Sequence, residues 1–207
     1  MATPFPLRCR CGRFQAEVRH PGRGTRAVCY CKDCQAFAHF LGLPSGMLDA
    51  HGGTDIVAVR PRDVRFVQGA EQLACMSLTP RGTLRWFTAC CRTPVGNTPR
   101  DLRLSHVGLV HTALESPGAD LEAAFGPVRM RVNRQSAHGR PPASPRFAFA
   151  AALLRYVSGL AWSRASGGYR TNPFFDADSG RPRVEPQVLS LEEHRKVKAQ
   201  VAAAGGA

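Results

Sequence analysis

The stretch Cys29-Tyr30-Cys31-Lys32-Asp33-Cys34 places three cysteines within six residues, and the interpretation of the chain starts from it. Two further groups accompany it, Cys9-Arg10-Cys11-Gly12 near the start and the adjacent pair Cys90-Cys91. Cys75 stands alone in the apolar run of residues 73–78, where we expect it to lie in the core. Seven of the eight cysteines therefore fall into three tight groups, which indicates that they share a chemical role.

The spacing of these cysteines favours metal ligation over disulfide bonding. Cysteines two residues apart make poor disulfide partners, because so small a ring strains the backbone. On an extended segment residues i and i+2 point to the same side, about 6.6 Å apart. A local turn, for which Gly12 is suited, brings their sulfurs to the roughly 3.8 Å separation of tetrahedral zinc. Thiolate clusters select zinc or iron–sulfur centres, and the usual iron–sulfur spacings are missing from the sequence. We therefore predict zinc as the cofactor, with up to two ions per chain.

The clustered cysteines divide into two predicted sites. The middle group supplies three thiolates with no evident fourth beside it, whereas the first group needs partners that the adjacent pair can provide. A structural zinc site is closed by four ligands, and a catalytic one keeps a position open. The predicted ligands are Cys9, Cys11, Cys90 and Cys91 at a closed site, and Cys29, Cys31 and Cys34 at an open one.

Alternatives remain at this stage. Both sites can be structural, and either member of the adjacent pair can be a small buried residue rather than a ligand. Neighbouring side chains on a strand face opposite ways, so Cys90 and Cys91 bind one ion together only if the backbone turns there. His39 and His51 can supply a fourth ligand or an acid–base group, although a lone histidine is more often simply solvated. The side chains that can line the open site are Gln35, Phe37, Thr93 and Asn97; no catalytic residue can be assigned.

The remaining sequence predicts a mainly β fold with an antiparallel assembly of strands. Alternating or β-branched segments lie between turn residues at 14–18, 56–60, 64–67, 73–78 and 84–87. After residue 112 the pattern changes, with one strand predicted over residues 128–132 and helices over residues 147–162 and from Ser190 onward. Ser190 and Glu193 form a capping box at the start of the last helix. We expect Trp162, Phe174 and Phe175 to be core or helix-packing residues.

Length and composition constrain the class of protein. The chain has 207 residues, enough for one domain with a substantial core or two small ones. No apolar run approaches the roughly 18 residues of a membrane span, and residues 1–7 do not resemble a secretory signal. We therefore expect a cytoplasmic protein that makes no membrane contact. The net charge of +13 comes mostly from single, scattered arginines, a distribution that speaks against a dedicated nucleic-acid surface without excluding one.

Three motifs together resemble the glutathione-dependent formaldehyde-activating enzyme family, also called the centromere protein V-like family. They are Leu7-Arg8-Cys9-Arg10-Cys11-Gly12-Arg13-Phe14, the three-cysteine stretch, and Arg85-Trp86-Phe87-Thr88-Ala89-Cys90-Cys91-Arg92-Thr93-Pro94. The resemblance implies a β-rich, Mss4-like zinc-binding domain over residues 7–112, with residues 113–207 as an extension packed on it. It also implies a structural zinc at the first and last groups and an open zinc at the middle group, where the family binds the glutathione sulfur.

The last motif departs from the family's Cys-x-x-Cys-Gly-Thr. Thr88 stands at the first cysteine, Cys90 is additional, and Arg92 replaces the glycine, while Cys91 and Thr93 keep the register. The first hypothesis is a carbon–sulfur lyase that condenses a small thiol, such as glutathione, with formaldehyde or another small aldehyde. The second is a non-catalytic zinc-stabilised module whose arginines contact nucleic acid or an acidic partner. A third is redox sensing by the adjacent cysteines if they carry no metal.

Overall fold

The computed structural model describes residues 3–115, 118 and 120–205, and two β-sheets form its framework. In chain order the strands are β1 (Phe5–Arg8), β2 (Gln15–Val18), β3 (Thr25–Cys29), β4 (Thr54–Val59), β5 (Val64–Gln68), β6 (Leu73–Ser77), β7 (Leu84–Thr88), β8 (Pro94–Thr98), β9 (Val107–Val110), β10 (Met130–Val132) and β11 (Gln187–Val188). The smaller sheet has the order β1-β2-β5, and the larger one has the order β10-β3-β4-β9-β8-β7-β6-β11.

The larger sheet is antiparallel in its interior and parallel at both edges. Strands β3, β4, β9, β8, β7 and β6 pair antiparallel, as the short strands and turn residues predicted. At one edge β10 pairs with β3 in parallel, and at the other β11 pairs with β6 in parallel. Both edge strands come from the later part of the chain, so that part extends the sheet on either side.

Six α-helices accompany the sheets within the described residues. They are α1 (Lys32–Leu41), α2 (Pro44–Met47), α3 (His111–Leu114), α4 (Leu121–Phe125), α5 (Arg146–Ala165) and α6 (Leu191–Gly205). Helix α6 packs against α1. Its start has the predicted capping box, because the Ser190 amide donates to Glu193 Oε2 at 2.8 Å and the Glu193 amide donates to Ser190 Oγ at 3.2 Å. Within the described residues, every helix is too short or too polar to cross a membrane.

Two apolar clusters stabilise this arrangement. The larger one includes Trp86, Phe14 and Phe174, and its members come from strands of both sheets. The smaller one joins the inner face of α1 to the sheet and to Val197 and Val201 of α6. Because α1 carries part of the middle cysteine group, the packing of α6 against α1 also stabilises the position of that group.

The mainly β prediction is confirmed, and so are most of its elements. The predicted helix over residues 147–162 spans Arg146–Ala165, and Phe174 and Phe175 are buried as predicted. The prediction for Trp162 is wrong, because its side chain is 63% exposed on α5. That helix buries only Ala152 and Ser163 among its residues, since it lies on the surface of the sheet rather than inside the core. The Mss4-like assignment and the boundary between residues 112 and 113 stay predictions.

Candidate metal centres

The first and last cysteine groups come together in space. The sulfurs of Cys9, Cys11, Cys90 and Cys91 all lie within 4.8 Å of one another. Cys11 Sγ lies 3.3 Å from Cys90 Sγ, and Cys9 Sγ lies 3.5 Å from Cys11 Sγ and 3.9 Å from Cys90 Sγ. Four thiolates at about 2.3 Å from a tetrahedral zinc are about 3.8 Å apart. The spacing and the donor set therefore fit a zinc ion closed by four ligands.

The backbone turns at the adjacent pair, which lets both of its sulfurs join the cluster. The Arg92 amide donates to the Thr88 carbonyl oxygen at 2.7 Å, and Arg92 adopts φ +56°. That is the left-handed conformation that glycine adopts most readily. The turn brings the sulfurs of both Cys90 and Cys91 into the four-cysteine cluster. Binding of one metal ion by both of them stays a prediction.

Two threonine hydroxyls surround the sulfur of Cys91. Thr88 Oγ1 lies 3.4 Å and Thr93 Oγ1 lies 3.2 Å from Cys91 Sγ. Burial opposes ionisation of this thiol, but hydrogen bonds from these hydroxyls outweigh it and lower the pKa of Cys91 to about 5. Thr88 therefore acts on Cys91 through its hydroxyl group.

The middle cysteine group is built at the junction of β3 and α1. Cys29 ends the strand, Cys31 caps the helix, and Cys34 lies in its first turn. The Cys34 amide donates to Cys31 Sγ at 3.3 Å, and the three sulfurs lie within 4.8 Å of one another. The positive end of the helix dipole stabilises negative charge at this position. Local geometry alone thus assembles three donors for a soft metal ion.

Hydrogen bonding among these three sulfurs favours the thiolate form of Cys29. Donation from Cys31 and Cys34 lowers the pKa of Cys29 far below its usual value, and Asn133 Nδ2 adds a hydrogen bond to its sulfur at 3.3 Å. For the same reason the pKa values of Cys31 and Cys34 are raised. A divalent cation would displace the remaining protons and bind three thiolates. The donor set therefore fits zinc with three protein ligands.

A buried arginine lies beside this cluster. Arg85, only 4% exposed, reaches Cys34 Sγ at 3.9 Å and donates to Asn97 Oδ1 at 3.1 Å. Its other terminal nitrogen lies 3.8 Å from Asp33 Oδ2. A buried guanidinium is stable only where negative charge or acceptors surround it. Arg85 and Asn133 were missed by the sequence analysis, because their roles depend on contacts between distant parts of the chain.

The other candidates take different positions. Among the described residues, no histidine, aspartate or glutamate joins either sulfur cluster. His51 Nδ1 contacts the His138 carbonyl oxygen at 2.8 Å, and Gln35 donates to the carbonyl oxygens of Tyr30 and Ser136. Thr93 belongs to the four-cysteine cluster rather than the three-cysteine one.

Two other predictions can be assessed beside the clusters. Phe37 is fully buried beneath the Arg85 guanidinium, while Asn97 approaches the three-cysteine cluster through that arginine. Cys75 is buried as predicted, which raises the pKa of its thiol to about 12. It therefore stays a neutral core residue.

A cavity of about 260 Å³ lies between α1 and α6, and none of its lining residues is a cysteine. Lys32 and Asp33, which separate Cys31 from Cys34, form one wall, and His194 and Lys198 of α6 line it from the other side. The cavity is large enough for part of a small organic molecule, and two lysines face it. It is thus a space between the two helices that can hold a small ligand.

Comparison with known proteins places the chain in a family. Residues 1–185 match the family described as "Family of unknown function (DUF6151)". The chain belongs to this family. Both sulfur clusters of this DUF6151 member lie inside the matched residues, and α6 lies outside them. A crystal structure of a Rhodobacter sphaeroides protein is similar at 22% sequence identity and a TM-score of 0.40, covering 61% of this chain and 99% of that one. None of the curated proteins matches the chain.

Proposed function

We propose that this protein binds two zinc ions and condenses a small thiol with formaldehyde or a similar small aldehyde. In this proposal Cys9, Cys11, Cys90 and Cys91 hold a structural ion, and Cys29, Cys31 and Cys34 hold one with an open position. The observation that carries it is the cluster of three sulfurs that no further cysteine, histidine, aspartate or glutamate of the described residues joins. The resemblance to the glutathione-dependent formaldehyde-activating enzymes supplies the reaction class.

The chemistry needs only a thiol and an aldehyde. Zinc at the open position would lower the pKa of a bound thiol and so favour its thiolate. In the reaction a carbon–sulfur bond forms between the thiol sulfur and the carbonyl carbon. The carbonyl π electrons move to oxygen, which takes up the proton that the thiol has lost. No oxidant or reductant is required.

Charges around the three-cysteine cluster suit this role. Three thiolates and a divalent ion carry one net negative charge, which a bound thiolate increases. Arg85 lies against Cys34 and partly offsets that charge. Lys32 and Lys198 face the cavity between α1 and α6, where they would attract a thiol that carries a carboxylate, as glutathione does. The chain's own contribution is therefore to hold the ion, balance its ligands and orient an acidic thiol.

The test combines metal content with reaction rate. We expect about two zinc ions per chain after purification without chelator, and about one in Cys31→Ser. The rate of S-hydroxymethyl glutathione formation from glutathione and formaldehyde, followed by NMR above the uncatalysed reaction, should fall to background in Cys31→Ser. Cys75→Ala is the matched control, because it removes a buried cysteine that belongs to neither cluster.

The outcomes separate metal binding from catalysis. A catalysed rate that is unchanged in Cys31→Ser overturns the proposed reaction. Two zinc ions per chain with no rate above background would leave a zinc-binding protein and overturn the lyase assignment. One zinc ion per chain with freely reactive thiols at Cys29, Cys31 and Cys34 would overturn the open site itself.

A further inference from the structure

A larger cavity, about 470 Å³, lies beneath α5 and is lined by none of the cysteines. Its walls come from the chain around β3, the end of β4, the turn before β9 and the middle of α5. Pockets of this size hold small organic ligands in other proteins. Helix α5 covers this cavity. Most of its residues are exposed, so it lies over the sheet and contributes little to the apolar core.

The polar lining of this cavity is cationic. Arg23, Arg60 and Arg155 line it, and no carboxylate is among the lining residues. Arg60 shares Asp63 with His20 at the edge, at 3.5 Å and 3.0 Å. Arg155 donates to the Gly22 carbonyl oxygen at 3.0 Å, which positions its guanidinium without neutralising it. Arg23 and Arg155 have no carboxylate partner among the described residues, and two such guanidinium groups lining one cavity favour an anionic occupant.

A buried hydroxyl in the same lining lacks a partner. Ser105 is 2% exposed, and its Oγ makes no hydrogen bond within the described residues. Buried polar groups are almost always paired, because an unpaired one has lost its hydrogen bonds to water without replacement. Ser105 is among the residues that line the cavity, so this unpaired donor belongs to the cavity wall.

The rest of the wall is aromatic. The rings of His106 and Tyr156 meet edge to face at a centroid distance of 5.1 Å. Burial lowers the pKa of His106 to about 4, so its ring is neutral at pH 7. Trp162 also lines the cavity although it is largely exposed. These rings provide surface for the planar part of a ligand.

We propose that this cavity binds a small organic anion, an aromatic or planar molecule that carries a phosphate or carboxylate group. Arg23 and Arg155 bind the anionic group, Ser105 donates to one of its oxygens, and Tyr156 and Trp162 contact the planar body. The site is separate from both cysteine clusters and does not depend on the proposed reaction.

The experiment uses the full-length, zinc-loaded protein and phenyl phosphate as the probe. Titration by calorimetry should show saturable binding with one site per chain. Tryptophan fluorescence should change in parallel, because Trp162 lines the cavity whereas Trp86, the other tryptophan, is fully buried. Benzoate in place of phenyl phosphate separates a carboxylate preference from a phosphate preference. Inorganic phosphate should bind at least about tenfold more weakly than phenyl phosphate, since it lacks the ring.

Variants locate the site. Arg23→Ala and Arg155→Ala should each weaken phenyl phosphate binding about tenfold, and Ser105→Ala should weaken it severalfold. Arg164→Ala is the matched control on the same helix, because Arg164 is exposed and does not line the cavity, and it should bind normally. Circular dichroism checks that each variant is folded.

Two results would overturn the proposal. One is the absence of saturable binding of both phenyl phosphate and benzoate at millimolar concentration. The other is equal binding by the wild-type protein and the Arg23→Ala/Arg155→Ala double variant. If inorganic phosphate binds as tightly as phenyl phosphate, the assignment of the aromatic wall is wrong.

Discussion

The Arg92 guanidinium lies over the ring of Phe40, 5.1 Å from its centroid, and donates to the carbonyl oxygens of Phe40 and Leu41. Those carbonyls belong to the last turn of α1, whose first turn carries Cys34. One arginine thus ties the loop of the four-cysteine cluster to the helix of the three-cysteine cluster. Two candidate metal centres that are separate in sequence are joined by this single side chain.

Variants of Arg92 should separate this contact from backbone strain. Arg92→Ala and Arg92→Gly both remove the hydrogen bonds and the stacking, but only glycine relieves the positive φ. We expect Arg92→Ala to lower the free energy of unfolding by about 2 kcal/mol and Arg92→Gly by about 1 kcal/mol. Urea denaturation of the zinc-loaded proteins measures the difference. A glycine variant less stable than the alanine variant would contradict the strain argument.

Arg85 should affect the affinity of one zinc site and not the other. Arg85→Met replaces the buried guanidinium with an apolar side chain of similar length, which removes the positive charge beside Cys34. We expect the zinc affinity of the three-cysteine cluster to fall about tenfold, because three thiolates then lack compensation. Competition with a chromogenic chelator measures both affinities in one titration.

A second arginine provides the control for that titration. Arg65→Met removes a half-exposed arginine that pairs with Glu17 on the smaller sheet, away from the clusters, and it should leave both zinc affinities unchanged. Equal effects of Arg85→Met on the two clusters would indicate a general loss of stability and contradict the specific role.

The stability of the fold should decline in mild acid partly through His106. Burial holds the pKa of this histidine at about 4, below its ordinary value of 6.5. Between these values the unfolded chain binds the proton more readily than the folded one, so the free energy of unfolding falls as the pH drops from 6.5 to 4. The full contribution is present above pH 6.5 and amounts to at most about 3 kcal/mol.

Comparison of the wild-type protein with His106→Gln isolates this effect. The other titratable side chains that line the same cavity are Tyr156, Arg23, Arg60 and Arg155. Thermal denaturation from pH 4.5 to 7 should show a shallower decline in the variant. Zinc loss affects both proteins alike and cancels in the difference. Identical pH profiles would contradict the assignment.

The sequence predicted the three-cysteine cluster because its geometry is mostly local. A cysteine at the end of β3, a cap and a first helical turn need only the spacing of Cys29, Cys31 and Cys34 to meet. The contributions of Asn133 and Arg85 could not be predicted, because Asn133 is 104 residues from Cys29 and Arg85 is 51 residues from Cys34. Their positions depend on the pairing of β10 with β3 and on the packing of α1 over the sheet.

The surface position of α5 could not be predicted for a different reason. Its apolar residues are spread around the helix instead of forming one face, so the sequence indicates a helix but not which side is buried. The prediction that Trp162 is a core or helix-packing residue was wrong because the sequence does not indicate which side of α5 is buried. The partners of the edge strands and their parallel direction were likewise unpredictable. Strands β10 and β11 have only two or three residues, and so short a pattern does not fix a partner.

Gly69 is the backbone position at which a substitution should be most damaging. Its φ is +70°, and a Cβ atom there would lie 1.9 Å from the carbonyl oxygen of Arg13. That carbonyl follows the turn that carries Cys9 and Cys11, so the backbone of the four-cysteine cluster would have to shift. We expect Gly69→Ala to lower the free energy of unfolding by about 3 kcal/mol or more and to weaken zinc binding by the four-cysteine cluster.

Gly167 offers the matched control. It also has a positive φ, +69°, but a Cβ atom there would meet nothing within 4 Å. Gly167→Ala should therefore cost only the conformational penalty of about 1 kcal/mol and leave both zinc sites intact. Urea denaturation and zinc competition on the two variants test the argument. The two glycines share only the left-handed conformation. If Gly69→Ala and Gly167→Ala lost equal stability, the close approach of Gly69 to Arg13 would therefore not be what constrains this turn.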